Sequence, residues 1–293
     1  MSPLASAWQV TRRALVAPLL VSAGCVGTPT PLAPGLQGTI GVPHQGVQTN
    51  AVELPARGAH FVRYRPRGKH HWAVPRLVTL IEEAAAHVER ELPNGAPLVV
   101  GDLSARWGGK IPGHNSHRTG RDVDLLYYAT TTAGVPVQTP GFVHFEGDGL
   151  ALVPGAGRYL QLDVPRQWAL FKFLLNDTRV GIQFLFVSRE VEALVIDYAL
   201  ARGEPLELVY RAATVLLQPT DSMPHDDHVH VRIACAPEEL VLGCTGGGPY
   251  WEWLPSPPLP GALTPEVLSS WASDDPLQDE GASAEVADNT GGA

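Results

Sequence analysis

Cysteine and positive charge are scarce in this chain, and no apolar run reaches membrane length. The 293 residues include 3 cysteines and carry a formal net charge of −9, which gives no support to a nucleic-acid partner. The longest apolar run, at residues 14–24, is too short for a comfortable membrane span. With 44% hydrophobic residues, the chain still has enough apolar material for one sizeable core or two small ones.

The N-terminus has the pattern of a secretory signal. Arg12 and Arg13 precede the apolar run, and small residues then lead to Cys25. We therefore predict a signal peptide over residues 1–24 and a periplasmic or otherwise exported protein. Cys25 directly follows Ala-Gly, as in bacterial lipoproteins, so a lipid tether at this cysteine to a bacterial membrane is a further hypothesis.

The two other cysteines, Cys235 and Cys244, are nine residues apart near the end of the expected folded region. In an oxidising compartment such a pair favours a disulfide, and two unrelated buried thiols are the alternative.

Composition divides the rest of the chain into three parts. Residues 25–47 are rich in Pro, Gly and Thr and are typical of a flexible tether. Residues 48–246 carry the periodic apolar patterns of a folded domain. Residues 247–293 begin with prolines and end acidic, with little to bury, so we expect this tail to be mostly disordered.

Helical and strand patterns alternate within residues 48–246. We predict helices over 75–95, 166–177 and 189–203, a helical first half of 205–219, and strands within 96–104 and 181–188. This mixture predicts an α+β fold.

Five of the eleven histidines fall in two short clusters. In "HVHVRI" (228–233) apolar residues alternate with His228, His230 and Arg232, so a strand would present both histidines on one face. This pair favours a metal site or an acid–base pair. A half-exposed strand with a polar face of histidine is the alternative.

The other cluster, "GHNSHRTGRDVDLLY" (113–127), contains His114 and His117 before Asp122 and Asp124. Thr-Gly breaks any helix, and a strand follows with both aspartates on one face. The turn lets the chain double back and present imidazole and carboxylate to one cation. These donors suit zinc, although non-haem iron also uses two histidines and one acid, and solvated aspartates are the alternative.

Together the clusters resemble the zinc peptidases that include lysostaphin-type enzymes, D-Ala-D-Ala peptidases and the hedgehog domain. "VVGDLSARWGGKIPGHNSHRTGRDVDLLY" (99–127) and "HDDHVHVRIAC" (225–235) are most similar to the penicillin-insensitive murein endopeptidases. The resemblance implies one catalytic zinc ion on the open face of a small antiparallel sheet flanked by helices. It also implies peptidoglycan as the partner, cleaved without β-lactam sensitivity.

The resemblance implies a set of metal ligands. His117, Asp124 and His230 would bind zinc, with water as the fourth ligand. His114 would be an auxiliary ligand or support the others, and Asp122 would be a neighbour and not a ligand.

It also implies roles around the metal. His228 would be the general base, assisted by His225, while Asp102 and Ser104 would shape the substrate-binding rim. Residues 130–163 have no confident counterpart in the family and lie where specificity could be set; His144 within them is predicted to be structural.

Three functions are compatible with these residues. The leading one is an endopeptidase that cleaves the D-alanyl–diaminopimelate cross-link. A D,D- or L,D-carboxypeptidase or dipeptidase that trims stem peptides keeps the zinc but changes the bond. A non-catalytic zinc domain that binds cell wall is the third, and His228 argues against it because a structural zinc needs no base beside it.

Overall fold

The computed structural model describes residues 37–220, 222–246, 248–249 and 251–254. The predicted signal peptide, Cys25 and residues 255–293 of the predicted tail lie outside these residues.

The described residues form five helices, four of which are those that the apolar periodicity predicts. Helix α1 begins at a proline and buries its Leu, Ile, Ala and Val positions on one face. Asp163 and Ser188 cap α2 and α3 by accepting hydrogen bonds from backbone amides of the first turn. The helices are α1 Pro75–Glu91, α2 Val164–Asn176, α3 Arg189–Ala201, α4 Leu206–Val215 and α5 Pro237–Leu240.

Fourteen strands lie in four sheets of the described region, so the fold is α+β, as predicted. The strands are β1 Thr39–Val42, β2 Gln45–Gln48, β3 Val52–Glu53, β4 Phe61–Arg63, β5 Trp72–Ala73, β6 Leu98–Val100, β7 Asp122–Leu126, β8 Ala129–Thr131, β9 Pro136–Val137, β10 Leu150–Val153, β11 Arg158–Leu162, β12 Ile182–Phe186, β13 Leu216–Leu217 and β14 His228–Ile233.

The main sheet differs from the small antiparallel sheet that we expected. It has six strands in the order β13-β12-β14-β7-β6-β4, and only its central strands are antiparallel. Both edge pairs are parallel. The reason is the connections: α1 crosses between β4 and β6, and α3 with α4 crosses between β12 and β13, and a helical crossover returns the chain in the same direction.

The two faces of the main sheet have different chemistry. Val123 and Leu125 of β7 join Val229 and Val231 of β14 in the core formed with helices α1 to α4. Because side chains alternate across a strand, the aspartates of β7 and the histidines of β14 lie on the opposite face. This face positions the site described below.

Part of the predicted tether is folded. Strands β1 and β2 form an antiparallel hairpin that lies almost wholly within residues 25–47, and its backbone donates a hydrogen bond from Gly41 to the Gly243 carbonyl. Trp251 and Trp253, within the predicted tail, pack against the core. The folded unit therefore extends beyond the predicted 48–246 at both ends, since both segments bury surface against it.

The predicted disulfide is present between Cys235 and Cys244. It closes the segment that contains α5, on which Glu239 is buried and accepts two hydrogen bonds from Arg76 of α1. Among the described helices, none is both long and apolar enough to cross a membrane.

Candidate metal centre

Neighbouring strands bring the two histidine clusters together. Strands β7 and β14 are antiparallel partners, and their register places His230 opposite Asp124 and His228 opposite Leu126. Side-chain alternation directs Asp124 and both histidines to the open face of the sheet. The two polar clusters, distant in sequence, thus form one group of side chains.

The turn before β7 delivers the remaining histidines. His117 has a left-handed backbone conformation with φ of 61°, which is uncommon for a residue other than glycine. Its backbone amide donates to Asp122 Oδ2 at 3.2 Å, which holds this conformation. Strained backbone of this kind is concentrated at functional sites. The His117 residue is fully buried.

Four imidazole rings surround the Asp124 carboxylate. His230 Nδ1 lies 3.1 Å from Asp124 Oδ1, His117 Nε2 lies 3.2 Å from it and His228 Nε2 lies 3.4 Å from it. His114 Nδ1 lies 3.7 Å from Asp124 Oδ2. Each of the four rings therefore directs one nitrogen toward the same carboxylate.

The other nitrogen of each ring donates a hydrogen bond to an oxygen away from this centre. Such outer acceptors fix the tautomer and orientation of histidines that bind metals. The pairs are His114 Nε2 with Asp102 Oδ2 (3.2 Å), His117 Nδ1 with the Leu103 carbonyl (2.9 Å), His228 Nδ1 with Asp227 Oδ1 (2.5 Å) and His230 Nε2 with Asp122 Oδ1 (2.9 Å).

These residues fit a divalent cation. Asp124 is fully buried, and neither of its carboxylate oxygens accepts a hydrogen bond. An imidazole that donates its proton outward turns the lone pair of its other nitrogen toward the Asp124 carboxylate. The lone pair and the carboxylate repel each other unless a proton or a cation lies between them. One ligand atom each from His114, His117 and Asp124 lies within 4.8 Å of the others. Imidazole and carboxylate are donors that zinc accepts.

The predicted third ligand and the predicted auxiliary histidine both reach this centre. His230 Nδ1 lies 3.1 Å from His117 Nε2, on the side of the ring that faces Asp124. His114 belongs to the compact group of possible ligand atoms, so it lies closer to the centre than a purely supporting role requires. The compact group is therefore His114, His117 and Asp124, and His230 lies beside it, 3.1 Å from both His117 and Asp124.

Asp122 is occupied by other partners. Its Oδ1 accepts hydrogen bonds from His230 Nε2 and from Arg232 Nε at 2.6 Å, and its Oδ2 accepts the His117 amide. Burial raises the pKa of Asp122, but the charges of Arg232 and His230 outweigh burial and hold this pKa well below its usual range. Asp122 is thus an ionised support for two candidate ligands.

The histidines of β14 and its preceding loop have contrasting pKa values. Burial lowers the pKa of His228, but the carboxylates of Asp124 and Asp227 raise it to about 10. Burial lowers the pKa of His225 to about 4, with the charges of His228 and His230 acting in the same direction. One ring is therefore protonated at neutral pH without a metal, and its neighbour is neutral.

The residues predicted at the substrate rim have different surroundings. Asp102 is partly exposed and contacts both His114 and Arg65, so it lies at the edge of the centre. Ser104 is fully buried, and its hydroxyl accepts a hydrogen bond from the Gly120 amide at 3.1 Å. The Ser104 side chain is therefore held inside the turn that carries Gly120.

Sequence reasoning missed two residues that contact His228 and one that packs behind them. Asp227 orients the ring, and its position directly before the histidine was a signal for this. Phe142 packs edge-on against His228 with ring centroids 5.3 Å apart, and Tyr64 packs edge-on against Phe142 at the same distance. No sequence pattern indicated these aromatic contacts, because they depend on how residues 130–163 fold back.

A second group with possible metal donors lies nearby. It consists of His144, Asp226 and Asp227 and is more exposed than the first. His144 donates from Nδ1 to Asp226 Oδ1 at 2.7 Å, and this hydrogen bond raises the pKa of His144. An ordinary ion pair accounts for the arrangement.

Comparison with known proteins gives one consistent family. The family model described as penicillin-insensitive murein endopeptidase matches residues 39–139, which include His114, His117 and Asp124. Proteins named penicillin-insensitive murein endopeptidase from Escherichia coli O17:K52:H18 and Shigella boydii serotype 18 are each 28% identical over 274 residues, which is 87% of this chain and 92% of the relative. One from Escherichia coli O9:H4 is 27% identical over 276 residues, with the same coverage of both chains. The resemblance predicted from the sequence is confirmed.

Proposed function

The chain is a relative of the penicillin-insensitive murein endopeptidases, and from this premise we propose that it is an exported zinc endopeptidase that hydrolyses D-alanyl–diaminopimelate cross-links in peptidoglycan. The observation that carries the proposal is the buried Asp124 carboxylate surrounded by four imidazole nitrogens, each ring held by its other nitrogen. The site serves amide hydrolysis as follows.

His117, Asp124 and His230 would hold the zinc ion, with His114 as an auxiliary ligand. When bound, zinc lowers the pKa of a water molecule to about 7 and polarises a carbonyl group. The chain's own contribution is to hold the donors in place, through Asp122 behind His230 and the Leu103 carbonyl behind His117.

His228 is the proposed general base. Asp227 accepts the Nδ1 proton, so the Nε2 lone pair faces the centre and can take a proton from the attacking water. The same nitrogen then delivers this proton to the leaving amine. The ring must be neutral for the first step, and a divalent cation beside Asp124 would offset the carboxylate charge that raises the pKa of His228.

His225 and Phe142 complete the surroundings of the base. His225 is neutral near pH 7, so it would offer a hydrogen bond to the substrate without adding charge. Phe142 covers one edge of the His228 ring, which limits water beside the base. The proposed mechanism uses no serine that a β-lactam could acylate. We therefore expect that β-lactams do not inhibit the enzyme.

The assay uses purified protein lacking residues 1–25 and cross-linked muropeptide dimers, with products identified by mass spectrometry. We expect zinc-loaded protein to convert dimers to monomers, a chelator to abolish conversion, and penicillin to leave it unchanged. His228→Gln should lower kcat by at least about a hundredfold while zinc remains bound. His87→Gln, a change of the same type on helix α1 at a histidine that pairs with Glu91, is the matched control and should retain activity.

Two outcomes would contradict the proposal. Persistence of dimers with zinc-loaded protein would reject endopeptidase activity. Release of a single terminal residue or a dipeptide, with the cross-link intact, would indicate a carboxypeptidase or dipeptidase instead.

A further inference from the structure

Basic residues in this acidic chain are concentrated in the segments that border the candidate metal centre. Residues 54–81 and 103–121 contain ten of the 21 Lys and Arg residues and no Asp or Glu. The whole chain has 30 acidic residues and a net charge of −9. Of these ten, Arg63 and Arg76 are paired with Glu53 and Glu239, and Arg121 is buried. The positive field that attracts anions therefore comes from the exposed ones.

One turn within these segments, residues 65–69, lies beside the centre. We call it the basic turn; it carries Arg65, Arg67 and Lys69, all of them exposed. Backbone hydrogen bonds fix both of its ends: Tyr64 donates to Val100 at 2.7 Å, and Leu103 donates to His70 at 2.7 Å. The basic turn is therefore attached to residues 100–103, which lead directly to the centre.

Two successive side-chain contacts connect the basic turn to the candidate ligands. Arg65 Nη1 lies 3.4 Å from Asp102 Oδ2, and the same oxygen lies 3.2 Å from His114 Nε2. The Arg65 side chain is 61% exposed, so its guanidinium still offers donors to a ligand. The basic turn thus begins two side chains away from the proposed metal ligand His114.

The chemistry of the basic turn suits carboxylates. Exposed guanidinium and ammonium groups bind carboxylates through charge-assisted hydrogen bonds. Peptidoglycan stem peptides are anionic because glutamate, diaminopimelate and terminal alanine carry free carboxyl groups. A substrate that approaches the centre along this edge would place such groups near Arg67 and Lys69.

We propose that the basic turn is a specificity-determining element that binds free carboxylates of the stem peptide on the side of the cleft next to His114. The inference rests on the proposed peptidoglycan activity and adds the substrate feature that is recognised. It assigns the turn to binding and not to the chemical step.

The test compares the zinc-loaded protein with an Arg67→Gln/Lys69→Gln variant on muropeptide dimers. Arg65 is kept because it contacts Asp102. We expect KM to rise about three- to tenfold while kcat changes less than twofold, since exposed charge contacts contribute modestly and act before the chemical step. Higher ionic strength should raise KM of the parent protein and have a smaller effect on the variant.

The matched control is Arg90→Gln/Arg202→Gln, which removes the same charge from exposed positions at the ends of two helices. Its KM should equal that of the parent. Dimers whose diaminopimelate carboxyl groups are amidated provide the second control. They should bind the parent more weakly than free-acid dimers, and the variant should discriminate less between the two.

Binding of the same dimers to zinc-loaded protein with His228→Gln separates this inference from the proposed activity. If the parent does not cleave dimers but this protein binds them more weakly after the Arg67/Lys69 change, the inference stands and the activity is wrong. If the parent cleaves them and neither KM nor binding depends on Arg67 and Lys69, the basic turn is not a carboxylate site. An equal rise in KM for the Arg90/Arg202 control would also overturn the inference, because the effect would then be due to net charge.

Discussion

At the scale of single residues, the candidate centre separates supporting groups from ligands by the partners that each already has. Asp122 and Asp124 are both fully buried on the same strand face, two residues apart. Asp122 accepts three hydrogen bonds, whereas the oxygens of Asp124 accept none. Since a buried carboxylate needs partners, Asp124 is the one left for a cation.

This difference predicts a graded effect on metal binding. His117→Ala and Asp124→Ala should each lose the zinc ion, because each removes a proposed ligand. Asp122→Ala should retain it with an affinity about ten- to a hundredfold lower, because His230 loses the acceptor that orients its ring. Zinc content after dialysis, with competition by a chromogenic chelator, measures the three affinities. Equal loss in all three variants would overturn the assignment of ligands.

At the scale of elements, the sequence predicts which side chains share a face within each of two strands, but it does not predict that the two strands are neighbours. "HVHVRI" alone predicts that His228 and His230 share a face, and the structure confirms a strand over these residues. That β14 pairs with β7, and in a register that sets His230 opposite Asp124, depends on contacts between distant segments. The family resemblance implied only that these side chains meet at one metal; it did not give the strand pairing, and local periodicity has no information about strand order.

The loop that carries His114 and His117 was predicted as a glycine turn. The structure shows that this loop is hydrogen-bonded to the β1–β2 hairpin, which the sequence did not predict. The β1–β2 hairpin accepts a hydrogen bond from the Arg118 amide at Pro43 and donates the Thr39 hydroxyl to the Thr119 carbonyl. Pro, Gly and Thr are typical of tethers, and composition could not reveal that this segment braces the loop. Backbone hydrogen bonds between distant segments leave no periodic signal in either sequence.

Gly120, which ends this loop, provides the prediction at this scale. It has φ of +74°, and an added Cβ would lie 1.9 Å from Gln48 Oε1 and 3.1 Å from the Val74 amide nitrogen. Gly134 has nearly the same φ, +78°, with nothing within 4 Å of an added Cβ. Gly134→Ala should cost about 1–2 kcal/mol from backbone strain alone. Gly120→Ala should cost about 1–3 kcal/mol more, because the methyl group collides with the buried Gln48 side chain.

Urea unfolding of both glycine variants measures the difference, and zinc affinity provides a second readout. Gly120→Ala should weaken zinc binding because the displaced loop carries His117, whereas Gly134→Ala should not. Equal free energies of unfolding for the two variants would show that the overlap with Gln48 is relieved without cost.

At the scale of the whole molecule, the proposed metal site joins segments that are distant in the chain. The candidate ligands come from the loop before β7, from β7 itself and from β14, at the centre of the six-stranded sheet. The α+β class, four helices and the disulfide could be predicted from sequence, since each depends on local periodicity or on spacing. The mixed strand order of the main sheet could not be predicted, because it depends on the edge of the sheet to which each helical crossover returns the chain.

A site built across the centre of the fold should couple metal binding to global stability. Zinc binds the folded arrangement of ligands and not the dispersed ligands of the unfolded chain, so it stabilises by mass action. At free zinc a thousandfold above the dissociation constant, the free energy of unfolding should rise by about 4 kcal/mol. Magnesium, which prefers oxygen ligands in octahedral geometry, should give no comparable increase. Asp124→Asn should abolish the zinc effect, while Asp197→Asn, which changes an exposed carboxylate on α3, should keep it in full. Urea unfolding at fixed free zinc measures all of these quantities, and a zinc-independent midpoint for the parent protein would show that zinc does not bind at the centre of the sheet.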